Sequence, residues 1–469
     1  MERGSACRHS RAGEKGGTEV PTTTRYRWRW AALAVLLTAE AMNLLDATIV
    51  QVAGPVIHAE LTGPESDIPW FSAAYTLPFA VFLITGGRLG DILGRGRVFR
   101  IGVAGFVLAS VVCALAGSAE VLIGARAVQG AAAAIIIPQT IGLIRALFDG
   151  GELAKALGSI GPVMGLSAIC GPLLGGVLTQ DFGWRSVFLV NVPLGLAVFF
   201  AAPLLREDRA DSRPRLDFVG TGLVVAGAGL VVYPLIERPF GGWPAWAMLV
   251  GGVALLVVFG FQQRRSSGPL VEMSLFANRG FPAALVGSVL FFAVMTGVML
   301  VVPMQLQLGL GVDVRTAGLT LLPLSAGLAV SSWVAGSWLV PRFGARVMFG
   351  GLAVLLAGIL AAVGVYAGGV SSYPWPLLGA LGLCGLGMGT FTVPFFTTAL
   401  QRVRPPETGS AAGLLNAVQQ LGGTLGVALL GGIYLDTGTA SAALGLAAGL
   451  VVAASCAVAL MVPSSRRGR

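Results

Sequence analysis

The sequence predicts an all-α polytopic membrane protein with fourteen transmembrane helices, and three observations carry that prediction. Of its 469 residues, 55% are hydrophobic and 11% charged, where soluble domains carry about 25% charged residues. Apolar runs long enough to cross a bilayer recur from end to end, and about 20 residues suffice for one crossing. They are too long for the ~10-residue strands of a membrane barrel. The basic residues then alternate between the gaps: with the N-terminus cytoplasmic, 27 Lys and Arg fall inside, three (Arg185, Arg238, Arg315) fall outside, and Arg126 lies within a run. A missed helix would scramble that alternation, so the bias supports fourteen spans with both termini cytoplasmic. It also accounts for the net charge of +9 without nucleic acid as a partner.

Taken in order, residues 1–29 are polar and basic and read as a disordered cytoplasmic tail, not a cleaved signal peptide. The runs follow at about 31–57, 70–88, 99–117, 121–143, 157–179, 186–205, 216–236, 244–262, 281–306, 317–340, 347–367, 374–399, 409–433 and 439–462, with a short tail at 463–469. Weak internal repetition divides them. Gly158–Gly176 matches the glycine rhythm of Gly413–Gly431, 255 residues on, and Pro55 corresponds to Pro303, 248 residues on. The offsets suggest two six-helix halves, 30–205 and 281–462, with two inserted helices in 206–280. Paired membrane halves are the layout of alternating-access transporters, with the site at their interface.

The chemistry starts in the first run. Trp30 to Ile57 carries two acids, Glu40 and Asp46. A carboxylate near a bilayer centre costs roughly 2.5–3.5 kcal/mol even on lenient scales, and such residues mark ion or substrate pathways. Arg126, inside the fourth run, needs a partner of opposite charge, and these acids are the only ones within spans of that half. We therefore expect Arg126 to pair with one of them and the other to be freer to exchange protons. The rest excludes other chemistries. Cys7, Cys113, Cys170, Cys384 and Cys456 form no CxxC pair, and His9 and His58 are isolated, so no metal site, cofactor or disulfide framework is expected. No GxxxxGK[ST] loop is present to bind ATP, and no nucleophile–base cluster suggests an enzyme.

Four stretches resemble known motifs. Gly87 to Arg97, GRLGDILGRGR, resembles the loop between the second and third helices of the major facilitator superfamily, through Gly87, Leu89, Asp91, Gly94, Arg95 and Arg97. The resemblance implies that fold and a conformational latch at this turn. Arg126-Ala-Val-Gln129-Gly130 is similar to the family's fourth-helix motif. Gly171-Pro172-Leu173-Leu174-Gly175-Gly176 is similar to the fifth-helix motif of its proton-coupled exporters, which implies export. Leu45 to Pro55, LDATIVQVAGP, resembles the first-helix motif of the fourteen-spanner drug:proton antiporter branch and contains Asp46 but not Glu40. Trp70–Leu77, Trp184 to Pro193 and Gly409 to Gly423 also look like that branch. The second half has no acid within its spans. It offers Asn416 and Gln419 with Phe391 and Phe395, which with Gln129 are expected to line a substrate cavity.

The expectation is a monomeric, multi-pass protein of the cytoplasmic membrane that exports amphipathic small molecules, such as drugs or antibiotics, in exchange for protons. Asp46, Glu40 and Arg126 are its coupling residues. The alternative is a facilitator or proton symporter that takes up a small organic solute on the same fold.

Overall fold

The computed structural model describes residues 26–205, 216–237, 242–266, 268–277, 279–369, 372–401, 403–404 and 407–461. Most of the expected N-terminal tail, the C-terminal tail, Cys7, His9 and the basic linker at 206–215 lie outside the described residues. The first half comprises α1 (Arg29–Leu61), α2 (Asp67–Leu93), α3 (Arg95–Ala114), α4 (Ala119–Leu147), α5 (Gly150–Phe182) and α6 (Arg185–Leu204). The insert is α7 (Phe218–Glu237) and α8 (Gly242–Arg265). The second half is α9 (Gly280–Gly309), α10 (314–343), α11 (Val347–Ala367), α12 (Pro376–Leu400), α13 (Thr408–Thr437) and α14 (Ala440–Met461).

Thirteen continuous helical stretches are long and apolar enough to cross a membrane, and one of them, Val314–Ala367, has 54 residues. At ~1.5 Å per residue it would run about 80 Å, over twice the ~30 Å hydrocarbon core. It is broken at Gly344, whose φ of +58° suits glycine. Divided there into α10 and α11, the stretches number fourteen. The fifth begins earlier than its apolar run because a polar turn, Gly150–Gly158 with Glu152 and Lys155, extends it.

Each half packs around glycines that remove side chains from helix crossings. A Cβ on Gly130 would lie 2.0 Å from the Tyr75 carbonyl oxygen, and one on Gly86 2.4 Å from that of Ala134, so α2 and α4 touch backbone to backbone. Gly130→Ala is expected to lower stability by about 1–3 kcal/mol through overpacking, seen as a drop of melting temperature in detergent. Gly124→Ala, on the same helix with open space around the new methyl, is expected to be neutral.

The insert is fastened to α2 along its length. Near one end Trp70 Nε1 donates to Glu237 at 2.7 Å and Ser66 Oγ to the same carboxylate at 3.2 Å. Towards the other, the Thr85 and Thr221 hydroxyls lie 3.2 Å apart, and Arg88 donates to the carbonyls of Gly268 (2.9 Å) and Pro269. Asp217 caps α7. Burial raises its carboxyl, but the Gly220 amide and the Gln263 and Gln262 side chains outweigh that and hold it below the usual range.

The two halves meet at the end of the bundle that carries the α1–α2 turn. There Gln307 donates to the Val52 carbonyl at 2.9 Å, Thr424 to Thr76 at 2.8 Å, and Arg315 sits 3.8 Å from Asp181. Towards the opposite end, Glu40 of α1 and Asn416, Gln419 and Gln420 of α13 are half-buried. Among the described residues none of these four side chains has a hydrogen-bond or ion-pair partner.

Candidate functional site

The apolar interior of the first half is not continuous. One cluster contains Leu36 and Met42 of α1, Phe79 of α2, Phe99 and Phe106 of α3, Ile136 of α4 and Val198 of α6. The other contains Ile49 and Ile57, Phe71, Cys113, Leu122, and Trp184 with Phe188. Between them four helices contribute polar side chains at one depth: Asp46 from α1, Ser110 from α3, Arg126 and Gln129 from α4, and Asn191 from α6, all under 1% exposed.

This layer is one network centred on the Asp46 carboxylate. Arg126 Nη1 donates to Oδ2, while Gln129 Nε2 (2.9 Å) and Asn191 Nδ2 (2.7 Å) donate to Oδ1. Arg126 Nη1 also donates to Gln129 Oε1 at 2.7 Å and its Nε to the Phe71 carbonyl at 3.0 Å. The guanidinium lies over the Tyr75 ring, 4.4 Å from its centroid. An ion pair stays charged in such a place only when its lone pairs and protons are satisfied, and removing one partner of a buried pair costs about 3–5 kcal/mol. Here three donors meet one carboxylate. Four buried polar atoms nearby have no partner: Arg126 Nη2, Asn191 Oδ1, Tyr75 Oη and Ser72 Oγ.

Of the two acids in α1, the structure thus brings Asp46 to Arg126 and leaves Glu40 apart. Glu40 sits about 9 Å further along the helix, half-buried and without a side-chain partner among the described residues.

The Gly171–Gly176 stretch lies where α5 touches both halves at once. A Cβ on Gly171 would lie 2.0 Å from Thr48 Oγ1, and one on Gly175 2.9 Å from the Ile49 carbonyl, both on α1. A Cβ on Gly176 would meet the Val314 carbonyl at 2.9 Å, and one on Gly318 the Pro172 carbonyl at 2.4 Å, both across the seam with α10. The turn after α2 is braced by an ion pair of its own. Arg95 donates to Asp91 at 2.9 Å and 3.2 Å, and Gly94 takes a φ of +97° to end α2 and start α3. Arg95 also lies across α4, where a Cβ on Gly142 would meet its chain at 2.7 Å, while Arg97 is exposed.

Three residues expected at a substrate cavity lie elsewhere. Gln129 is fully buried and commits both ends of its amide to the Asp46 network, donating also to Ser110 at 2.9 Å. Phe391 and Phe395 show no exposed surface; they stack on each other at 5.1 Å, and Phe391 on Phe291 at 4.3 Å. The reason is that α12 turns this aromatic face onto α9, so the rings pack the second half's interior in this conformation. Asn416 and Gln419 are the two that remain half-buried with free amides. The sequence reading missed Asn191, Ser110 and Tyr75 as neighbours of Asp46. The signal was present for Asn191, an amide inside an apolar run, and absent for the others, which are ordinary residues of membrane helices. Among the described residues no three His, Cys, Asp or Glu come together to hold a metal.

Long apolar helices of this number, with a charged layer buried among the first six, point to a family of membrane proteins. Residues 36–427 match the model of the Major Facilitator Superfamily. The chain belongs to that superfamily. As a major facilitator it is a transporter rather than an enzyme. It is 44% identical over 423 residues to a probable actinorhodin transporter of Streptomyces coelicolor, covering 87% of this chain and 73% of that one. It is 37% identical to a puromycin resistance protein of Streptomyces alboniger (92% and 89% covered) and 33% identical to a tetracenomycin C resistance and export protein of Streptomyces glaucescens (86% and 75% covered). A crystal structure of a peptide transporter in complex with sulfate superposes with a TM-score of 0.68 over 92% of this chain and 94% of that one. At 17% identity it speaks for the fold alone.

Proposed function

We propose that this major facilitator exports amphipathic small molecules of the antibiotic class from the cytoplasm in exchange for protons. The observation that carries the reading is the buried Asp46–Arg126 pair with its layer of amides. A packing helix gains nothing from a charge at that depth, whereas a coupling carboxylate has to be there. The names of the relatives, an actinorhodin transporter, a puromycin resistance protein and a tetracenomycin C resistance and export protein, support export of compounds of the antibiotic class.

With both termini cytoplasmic, as the basic residues argue, the joined end of the halves faces outward. The half-buried Glu40, Asn416 and Gln419 then face a cavity open to the cytoplasm, where a compound would load. In this cycle the Asp46–Arg126 pair of this state corresponds to the carrier after its proton has passed to the cytoplasm. The loaded carrier turns outward, releases its cargo, and returns after Asp46 takes a proton that neutralises the pair. Each inward proton supplies roughly 2.3 kcal/mol per 100 mV and about 1.4 kcal/mol per pH unit, while a tenfold gradient of solute costs about 1.4 kcal/mol. One proton therefore drives a tenfold gradient or more.

Inside-out vesicles carrying the protein test this. Imposing an inward-acid pH gradient is expected to drive ethidium into the vesicle lumen, and collapsing the gradient with an ionophore to stop it. Proton-driven movement in the opposite direction would mean that the chain is an uptake symporter. Glu40→Gln is expected to weaken transport of cationic ethidium several-fold and to spare neutral chloramphenicol; equal loss of both would remove Glu40 from charge recognition.

A further inference from the structure

We propose that Asn191 is the positioning residue that lets Asp46 hold a proton without leaving its buried site. Its amide donates to the ionised carboxylate and turns over to accept from the carboxylic acid. The inference rests on the reading that Asp46 is the coupling group.

Two amides touch Asp46, and they differ in what lies behind them. Gln129 has both ends committed: Nε2 donates to Asp46 and Ser110, and Oε1 accepts from Arg126 and from Cys113 Sγ at 3.8 Å. Turning it over would break all of these and set two N–H groups against a guanidinium. Asn191 has one end committed. Nδ2 donates to Asp46 Oδ1, while Oδ1, equally buried, has no partner. A half-turn about Cβ–Cγ therefore exchanges donor for acceptor at the carboxylate and breaks nothing else.

An ionised carboxylate only accepts hydrogen bonds, whereas a protonated one carries an O–H donor. A site built only of donors holds the ion well and the acid badly, because its new O–H has no acceptor. Asn191 supplies that acceptor. In the step, a hydronium ion gives up one O–H bond and becomes water as an O–H bond forms on Asp46 Oδ1, and the negative charge paired with Arg126 is neutralised. Arg126 on α4 pairs with this carboxylate, and Tyr75 on α2 and Cys113 on α3 lie within electrostatic reach of it; from α6 it is Asn191 that meets it.

The test needs no substrate. Infrared difference spectra of the purified full-length protein, with asparagine carrying a carbon-13 side-chain carbonyl, are recorded as pH is lowered. The carboxylic C=O band missing in Asp46→Asn reports protonation of Asp46, and the labelled amide band missing in Asn191→Leu reports Asn191. The expected result is that the Asn191 band shifts with the same midpoint as the Asp46 band. A hydrogen bond to a charged group outweighs one to a neutral group, so Asn191→Leu, which removes both, is expected to raise the Asp46 midpoint by up to about one pH unit. Asn191→Ser, whose hydroxyl also donates and accepts, is expected to move it by less than half as much. An Asn191 band that stays still while Asp46 titrates overturns the inference and leaves the coupling reading intact. Should no Asp46 band form at any pH at which the protein is folded, the coupling reading falls and the inference with it. Where the leucine variant does not fold, the band missing in Asn191→Ser assigns Asn191, and the wild-type spectrum then decides both points.

Discussion

Asp46→Asn is expected to abolish proton-driven export, lowering gradient-driven ethidium transport in inside-out vesicles by about a hundredfold or more. The substitution keeps the size of the side chain but exchanges one acceptor oxygen for a donor NH2 and removes the group that, among the described residues, forms an ion pair with Arg126. Two consequences follow. The site loses the proton that links it to the membrane gradient, and Arg126, at 0% exposure, becomes an uncompensated buried charge. That second effect costs about 3–5 kcal/mol, so the melting temperature is expected to fall as well. The double variant Asp46→Asn, Arg126→Gln removes both charges and is expected to recover most of that stability without recovering transport. This separates the role of the pair in folding from its role in coupling. Gradient-driven transport at the wild-type rate in Asp46→Asn would assign the coupling to another residue.

Gly318→Val is expected to reduce export at least tenfold by a different route. Gly318 and Gly176 bring α10 and α5 together across the seam, and a Cβ at Gly318 would fall 2.4 Å from the Pro172 carbonyl. A backbone oxygen cannot move aside as a flexible side chain does. The joined end of the halves must then part, at a cost of about 1–3 kcal/mol to the conformation described here. That is roughly a five- to hundredfold shift in population. Each half keeps its own interior, so the protein is expected to fold. Cysteines introduced as Asp181→Cys and Arg315→Cys, in place of the ion pair at that end, are expected to cross-link readily in the parent protein and poorly with Gly318→Val. Unchanged cross-linking would mean that the seam tolerates the side chain.

Much of the architecture was legible because membrane helices obey one strong rule. Hydrocarbon does not solvate a peptide group, so every spanning segment bonds its backbone internally and shows outwardly as a run of apolar residues. That rule yields the helices whatever they pack against. It locates their ends less well: α5 starts seven residues before its apolar run because Gly150–Gly158 is a polar helical turn. Glu40, Asp46 and Arg126 were conspicuous for the same reason, since a charge inside such a run has to be explained.

What the sequence could not supply is which side chains meet. Glu40 and Asp46 are equally acidic and six residues apart, nearly two turns of helix. Only the packing of α1 against α4 and α6 gives Asp46 the three donors and leaves Glu40 without a side-chain partner among the described residues. Phe391 and Phe395 looked like a cavity wall because an aromatic face reads the same whether it meets a ligand or another helix; Phe291 decided it. The glycines of α5 were visible as a pattern, but the partner that needs them, Gly318, lies more than 140 residues away and has no motif of its own. The sequence by itself thus determined the helices, their number, their basic flanks and the presence of a charged site, because these follow from transfer of each segment into lipid. The tertiary structure alone decided the ion pair, the free amide oxygen of Asn191 and the glycine seam, because each depends on distances between residues far apart in the chain.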